Sequence, residues 1–284
     1  MRYRFVDQHK KVWPVTLMCG VLSVSRSGYY DWTARGPSPH GCSSHELDKR
    51  IRAIFTEHRQ RYGAPRIAKA LHDEGITCSE NRIARRMGAL RLKAIQAKKF
   101  KVTTDSTHSN PVAPDLLKQD FSATAPKQKW TSDITYVWTN EGWLYLAVVM
   151  DLYSRAIVGW AMNRRMTQHL VCDALTMALF RRRFPKNTIL HSDRGSQYCS
   201  MRYQRLLRNN KLRCSMGHKA NCYDNAVTES FFHTLKVELV HRERYVTRRK
   251  AQSSIFEYIE TYYNRQRKHS AIAYQIPMEF EKTA

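Results

Sequence analysis

The chain reads as an α/β sheet domain preceded by small all-α modules of helix-turn-helix type. Three observations predict this class. Up to about residue 92, apolar residues recur three or four apart between Ser caps and Gly or Pro breaks. A basic, aperiodic stretch follows, and after Lys127 the period drops to two and then alternates, in the order three strands, helix, strand, helix, strand, helix. At 284 residues and 42% hydrophobic content, the chain can bury one full core and one or two smaller ones.

In residues 12–32, apolar positions run through Leu17, Val21 and Leu22 at helical spacing, and a Ser-containing break precedes an aromatic segment, so two short helices are expected within a module spanning 1–35. "GPSPHGCSSH" (Gly36–His45) reads as a linker, with Ser43 or Ser44 capping a helix to about Arg59 that buries Leu47, Ile51 and Ile54. Pro65 opens the next helix, on Ile67, Ala70 and Leu71, and Gly75 closes it. Ser79 caps a third, with Ile83, Met87 and Leu90 on one side and Arg82, Arg85 and Arg86 on the other. Residues 44–92 thus form a helix-turn-helix whose second helix is basic, as suits DNA contact. A small bundle with a solvated basic face would read the same way.

Residues 93–124 are rich in Lys, Thr, Ser and Pro and read as a basic linker. From 125 to 244 the sheet domain is expected. "KWTSDITYVW" alternates as a strand, "LYLAVVMD" and "RAIVGWAM" follow as a meander, and a helix capped by Thr167 buries Leu170, Ala174, Leu175, Ala178 and Leu179. The short strand "TILHSD" ends at Asp193. A helix from Met201, the strand "LRCSMG" and a helix containing Glu229 complete the order, and residues 245–284 form a basic helical extension.

There are 48 Lys and Arg against 24 Asp and Glu, a formal charge of +24, so a polyanion, nucleic acid first, is the expected partner. Charge alone does not separate an enzyme from a non-enzymatic binder or repressor. Seven cysteines with no CxxC pair give neither a disulfide framework nor a zinc pattern, and no apolar run is long enough to span a membrane. A cytoplasmic protein is expected.

Three carboxylates sit where a sheet domain would gather a ligand: Asp133 inside the first strand, Asp193 at the carboxyl end of the fourth, and Glu229 on the last helix. Helical spacing puts Glu229, His233 and Lys236 in one sector with Asn225 near, opposite Val227, Phe231 and Leu235. Asn221 and Asp224 form a plausible cap. Such a set suits phosphoryl transfer with hard divalent cations, Mg²⁺ or Mn²⁺, two of them about 4 Å apart, and Lys236 holding a phosphate beside them. On pattern alone a loosely spaced trio has little specificity. Asp151 competes with Asp133, although its position suits a turn, and His191 and His233 lack metal spacing.

"WTSDITYV", "HSDRGSQY", "NCYDNAVTESFFHTLKVE" and "YNRQRKHSAI" resemble, in order and spacing, the catalytic motifs of second-reading-frame transposases of the insertion sequence 3 family, relatives of retroviral integrases. Thirty-five residues separate Asp193 from Glu229, as in that family's signature. The helical N-terminal stretches are similar to the family's helix-turn-helix modules.

The resemblance implies an RNase H-like integrase catalytic core, a mixed five-stranded sheet with flanking helices, in a bacterial, nucleoid-associated DNA transposase. Asp133, Asp193 and Glu229 become its metal-binding catalytic residues, cleaving and joining element ends. Lys236 matches the basic residue seven positions after the glutamate and would contact DNA, as would Arg265, Arg267, Lys268 and His269 of the basic C-terminal segment; His233, in the Glu229 sector of the helix, is a further DNA-contact candidate. The partners implied are element ends and target DNA, further copies of the chain on that DNA, and an upstream-frame product as fusion or partner. A nuclease on the same fold is the enzymatic alternative.

Overall fold

The computed structural model describes residues 1–34, 39–95, 113–217 and 225–283, with backbone alone at 39–43. It comprises two compact units, Met1–Lys93 and Ala94–Ala284.

In the first unit, α1 (Arg2–His9), α2 (Val15–Val21) and α3 (Arg26–Ala34) enclose Val6, Met18, Cys19 and Tyr29. The sequence did not predict α1, because its only buried residue is Val6 and no apolar stripe marks it. On α2 the inner positions are Met18 and Cys19, while Leu17 and Val21 face solvent, contrary to the stripe expected there. Helix α4 (Pro39–Glu57) begins earlier than the Ser43 or Ser44 cap and takes in part of the expected linker. A proline is at home in the first helical turn, where its missing N–H would have no partner in any case.

Helices α5 (Ala64–Asp73) and α6 (Glu80–Ala89) complete this part, burying Ile67, Leu71, Ile83 and Met87 against Leu47, Ile51 and Ile54. The Ser79 hydroxyl accepts the Arg82 N–H at 3.3 Å as the cap of α6. Gly75, just beyond α5, has φ +80°, a conformation that costs glycine nothing.

In the second unit the strands are β1 (Lys129–Thr139), β2 (Gly142–Asp151), β3 (Ile157–Asn163), β4 (Ile189–Ser192) and β5 (Arg213–Met216). Their spatial order is β3-β2-β1-β4-β5, with β1–β2 and β2–β3 antiparallel and β1–β4 and β4–β5 parallel. Helices α7 (Gln168–Arg181), α8 (Met201–Asn209), α9 (Ala226–Glu238), α10 (Arg248–Glu257) and α11 (Pro277–Phe280) accompany them. Residues Leu144 to Met150 are buried without interruption apart from Tyr145, because both faces of β2 are covered. Ala147 and Val149 pack with α7 and α8, whereas Leu144, Leu146 and Val148 pack with α9 and α10.

Gly159 lets α7 sit directly on β3, since a Cβ there would lie 2.2 Å from the Ala174 carbonyl oxygen. Thr167 occupies the N-cap position of α7, yet its side chain makes no capping hydrogen bond. From Ala113 onward, the segment read as linker is fixed to the sheet: Leu116 N–H donates to Ser215 Oγ at 2.8 Å, and Leu117 is buried. The C-terminal extension runs from α10 into a π-helical turn, Tyr258–Tyr263, which buries Tyr258, Ile259, Tyr262 and Tyr263.

Candidate active site

Parallel pairing of β1 with β4 sets Thr131 opposite His191, so the register carried two residues further brings Asp133 alongside Asp193. The turn after β4 is built around Asp193: its Oδ1 accepts the Gly195 N–H at 2.9 Å. A Cβ at Gly195 would lie 3.0 Å from that same oxygen, so a small residue keeps the carboxylate in place.

Asp133 is underpinned by its neighbour. Ser132 Oγ donates to the Val148 carbonyl at 2.8 Å and lies 3.1 Å from the Tyr198 hydroxyl. Burial pushes the Asp133 carboxyl well above the usual carboxylate range, the Asp193 charge pushes it further, and Glu229 adds to the same effect. The Ile134 N–H, donating to Oδ1 at 2.7 Å, and the Lys236 ammonium act the other way.

Glu229 is positioned by α9, and the start of α9 is pinned to β1. Thr131 Oγ1 bonds Asn225 Oδ1 at 3.1 Å and meets the Thr228 hydroxyl, and Asn225 Nδ2 donates to the Ser132 carbonyl at 3.4 Å. Asn225 is therefore buried on the sheet, at the start of the helical turn that carries Glu229. The expected cap at Asn221 and Asp224 lies outside the described residues, and the described N-cap is Asn225.

Glu229 itself is exposed, with its carboxyl raised by partial loss of hydration. Phe231 and Leu235 are buried on the inner side of α9, as expected. Lys236 is half-buried, its pKa lowered by desolvation and lifted in part by Tyr136 and Asp133. The site thus gathers Asp133 and Asp193 side by side, with Glu229 and Lys236 within electrostatic reach of Asp133. Among the described residues, no three His, Cys, Asp or Glu side chains converge closely enough to hold a metal ion.

Asp151 takes the turn role. Its Oδ1 accepts the Tyr153 N–H at 3.0 Å, and Oδ2 accepts Lys127 N–H at 2.8 Å and Trp130 Nε1–H at 3.1 Å. His191 is buried with Nδ1 2.8 Å from Ser215 Oγ and 3.8 Å from Asp115 Oδ1.

Two of the basic residues expected at DNA are committed elsewhere. Arg267 is 4% exposed and donates to Glu238 at 2.9, 3.0 and 3.1 Å, while the Tyr258 hydroxyl donates to the same carboxylate at 2.8 Å. Burial pulls the guanidinium pKa down, but the attraction of Glu238 more than reverses this and holds it raised. Arg86 grips Asp48 of α4 with both arms of its guanidinium, Nε at 2.7 Å. Arg82, Arg85, His233, Arg265 and Lys268 remain at least partly exposed. His269 is also partly exposed, although its Nδ1 accepts the Ala271 N–H at 3.2 Å. Sequence reasoning missed Glu238, Thr131 and Thr228, whose signal was only a charged or hydroxyl residue on an otherwise apolar face.

The integrase core domain family matches residues 123–222 and again 229–284, and the HTH-like domain family matches 44–100. Transposase InsF for insertion sequence IS3A, from Escherichia coli strain K12, is 46% identical over 99% of this chain and 98% of its own length. The insertion element IS600 uncharacterized 31 kDa protein of Shigella sonnei is 47% identical over 93% of this chain and 97% of its own.

Two solved structures are also similar. The simian T-cell lymphotropic virus intasome in complex with PP2A regulatory subunit B56 gamma contains a chain that matches with TM-score 0.48 at 14% identity, over 81% of this chain and 74% of that one. The HTLV-2 integrase catalytic core domain in complex with magnesium matches with TM-score 0.44 at 13% identity, over 56% and 99%.

The sheet and the family matches define an integrase-core enzyme, a polynucleotidyl transferase built on a mixed five-stranded sheet with flanking helices. The helical unit before it carries an HTH-like domain. On identity and coverage, this chain belongs to the insertion sequence 3 family of transposases. Among the described residues no helix is long and apolar enough to cross a membrane.

Proposed function

We propose that Asp133, Asp193 and Glu229 are the catalytic carboxylates with which this transposase cuts and joins the DNA ends of its insertion sequence. The observation that carries this reading is the parallel β1–β4 register, which sets Asp133 beside Asp193, together with the pinning of the start of α9, and so of Glu229, to the same strand. Carboxylates that repel one another at a strand end gain from a compensating cation. Their oxygen donors suit magnesium or manganese, so Asp133 and Asp193 would hold one or two such ions, and Glu229, which does not converge with them here, would complete the set by closing on the bound ion. When bound, those ions would supply charge neutralisation at the phosphodiester and lower the pKa of an attacking hydroxyl.

The chain's own residues orient the reaction. Thr131, Asn225 and Thr228 fix the start of α9 on β1 and so place Glu229 one residue beyond the pin. Lys236 is two turns further along the helix, where an ammonium can bind a phosphate oxygen of the DNA strand. Cleavage uses water as nucleophile, and strand transfer uses a 3′-hydroxyl.

Arg82 and Arg85 on α6 are the base- or phosphate-contacting candidates of the helix-turn-helix. His233, Arg265, Lys268 and His269 are candidates in the second unit. Assembly of further copies on paired element ends, association with an upstream-frame product, and a place at the bacterial nucleoid belong to the same reading.

The experiment is a joining assay with labelled element-end DNA in Mg²⁺. Glu229→Gln and Asp193→Asn keep side-chain shape and remove charge, and each is expected to lower joining at least about 10³-fold while end binding persists. Wild-type joining by either variant would refute the assignment, and hydrolysis without joining by the wild type would make the protein a nuclease.

A further inference from the structure

The β1–β2 hairpin extends beyond the four-residue strand β4, which pairs only with Lys129 to Thr131, so the outer half of β1 has an open edge among the described residues. On this arm three large aromatic side chains are exposed where a half-covered sheet would normally carry polar residues. Tyr136 is 37% exposed, Trp138 58% and Trp143 42%. Trp138 and Trp143 are direct cross-strand partners with ring centroids 4.8 Å apart, and Trp143 lies 5.0 Å from Tyr136, both pairs edge to face. An isolated exposed ring means little, but three in mutual contact form a patch.

The patch is held rigid and flanked by cations. At its tip Gly142 takes φ +101°, and Arg248 of α10 clasps the turn: its N–H donates to Glu141 Oε2 at 2.8 Å and its Nε to the Trp143 carbonyl at 3.0 Å. Asn140 N–H donates to the Tyr245 carbonyl at 3.0 Å. Lys236 Nζ lies 5.0 Å from the centroid of the Tyr136 ring. Along β1, Tyr136 is three residues from Asp133 and Trp138 five, roughly 10 and 17 Å at strand spacing, and alternation puts both rings on the opposite face of the strand from Asp133, with the edge of β1 between them.

We propose that Tyr136, Trp138 and Trp143 form a stacking site for unpaired DNA bases, with Lys236 and Arg248 flanking the path of the phosphates, reached by a strand that passes around the open edge of β1, where Lys236 meets Tyr136, from the carboxylate face. The proposal rests on the DNA-processing reading above. Rigid rings interleaved with cations are the chemistry of single-strand recognition, because every base offers a π-face and every linkage a negative charge. A base inside a duplex has both faces already occupied. A second copy of this chain is the other possible occupant, but it would bring its own Lys236 and Arg248, and the +24 charge of each chain, against the same patch.

The test is fluorescence anisotropy of labelled oligothymidine and of blunt duplex DNA with the full chain in EDTA, where metal-dependent chemistry is silent. Trp138→Ala/Trp143→Ala is expected to weaken oligothymidine binding about 10- to 100-fold and leave duplex binding unchanged. Trp138→Phe/Trp143→Phe should retain most of the affinity, and the two single Ala variants carry the test if the double variant unfolds.

Equal loss on both DNAs, or no loss on oligothymidine, overturns the proposal. So does sedimentation showing that the Ala variants dissociate a dimer, which would assign the patch to a second copy. Asp193→Asn should keep wild-type oligothymidine binding while losing joining, so the stacking site and the carboxylate assignment can fail separately.

Discussion

Removing the Arg267 guanidinium separates a structural role from a DNA contact. In Arg267→Met the Glu238 carboxylate stays in the core of the second unit, next to the Tyr258 hydroxyl, and loses the guanidinium that balances its charge. Stranding one member of a buried ion pair costs about 3–5 kcal/mol. For a unit of this size, about 2–4 °C of melting temperature accompanies each kcal/mol, so a drop of roughly 6–20 °C is expected.

Replacing Glu238 as well, in Arg267→Met/Glu238→Leu, removes the stranded charge but leaves the Tyr258 hydroxyl without its acceptor, a cost of about 1–3 kcal/mol. Adding Tyr258→Phe should return the melt to within about 1–2 kcal/mol of wild type. The assay is thermal or urea unfolding followed by tryptophan emission, with duplex affinity measured against salt in parallel. If Arg267→Met melted like the wild type while the salt slope of DNA binding fell by about one, Arg267 would be a phosphate contact and the ion-pair argument would fail.

Gly159→Ala is expected to destabilise the second unit by about 1–3 kcal/mol or more, since the methyl meets the α7 backbone at the Ala174 carbonyl and the Ala178 amide; a urea midpoint equal to wild type would show that α7 can lift away freely. In the first unit, Asp48 has its pKa lowered chiefly by its hydrogen bond from Arg86, so the stability this provides is present above pH 3.8 and lost as pH falls from there through the lowered value. Arg86→Ala should remove on the order of 1 kcal/mol at neutral pH and flatten that acid limb in urea melts between pH 2 and 6.

The second unit was legible wherever a single element carried its own signal. The alternation of Trp130 to Trp138, the stripe from Leu170 to Leu179 and the strand end at Asp193 all match the observed elements. What sequence periodicity could not supply was pairing. Asp133 and Asp193 become neighbours only through the parallel β1–β4 register, sixty residues apart along the chain.

Charge was legible in sum but not by residue. Arg267 and Arg265 look alike in "YNRQRKH", and only the fold shows that the first is buried on Glu238, 29 residues away, while the second is exposed. Short polar α1 escaped for the opposite reason: with only Val6 buried it carries no period to read.

The π-helical turn at Tyr258–Tyr263 has a consequence for how the C-terminal segment can change. A wide turn accommodates one residue more than an α-helical path of equal rise, so everything beyond it is rotated relative to α10. Tyr258, Ile259, Tyr262 and Tyr263 can then all face inward, and the chain emerges in the phase that delivers Arg267 to Glu238. Deleting any one residue there would restore an ordinary helix and turn the following residues by about 100°. In this stretch the length of the chain, as well as the chemistry of its buried side chains, sets where Arg267 falls.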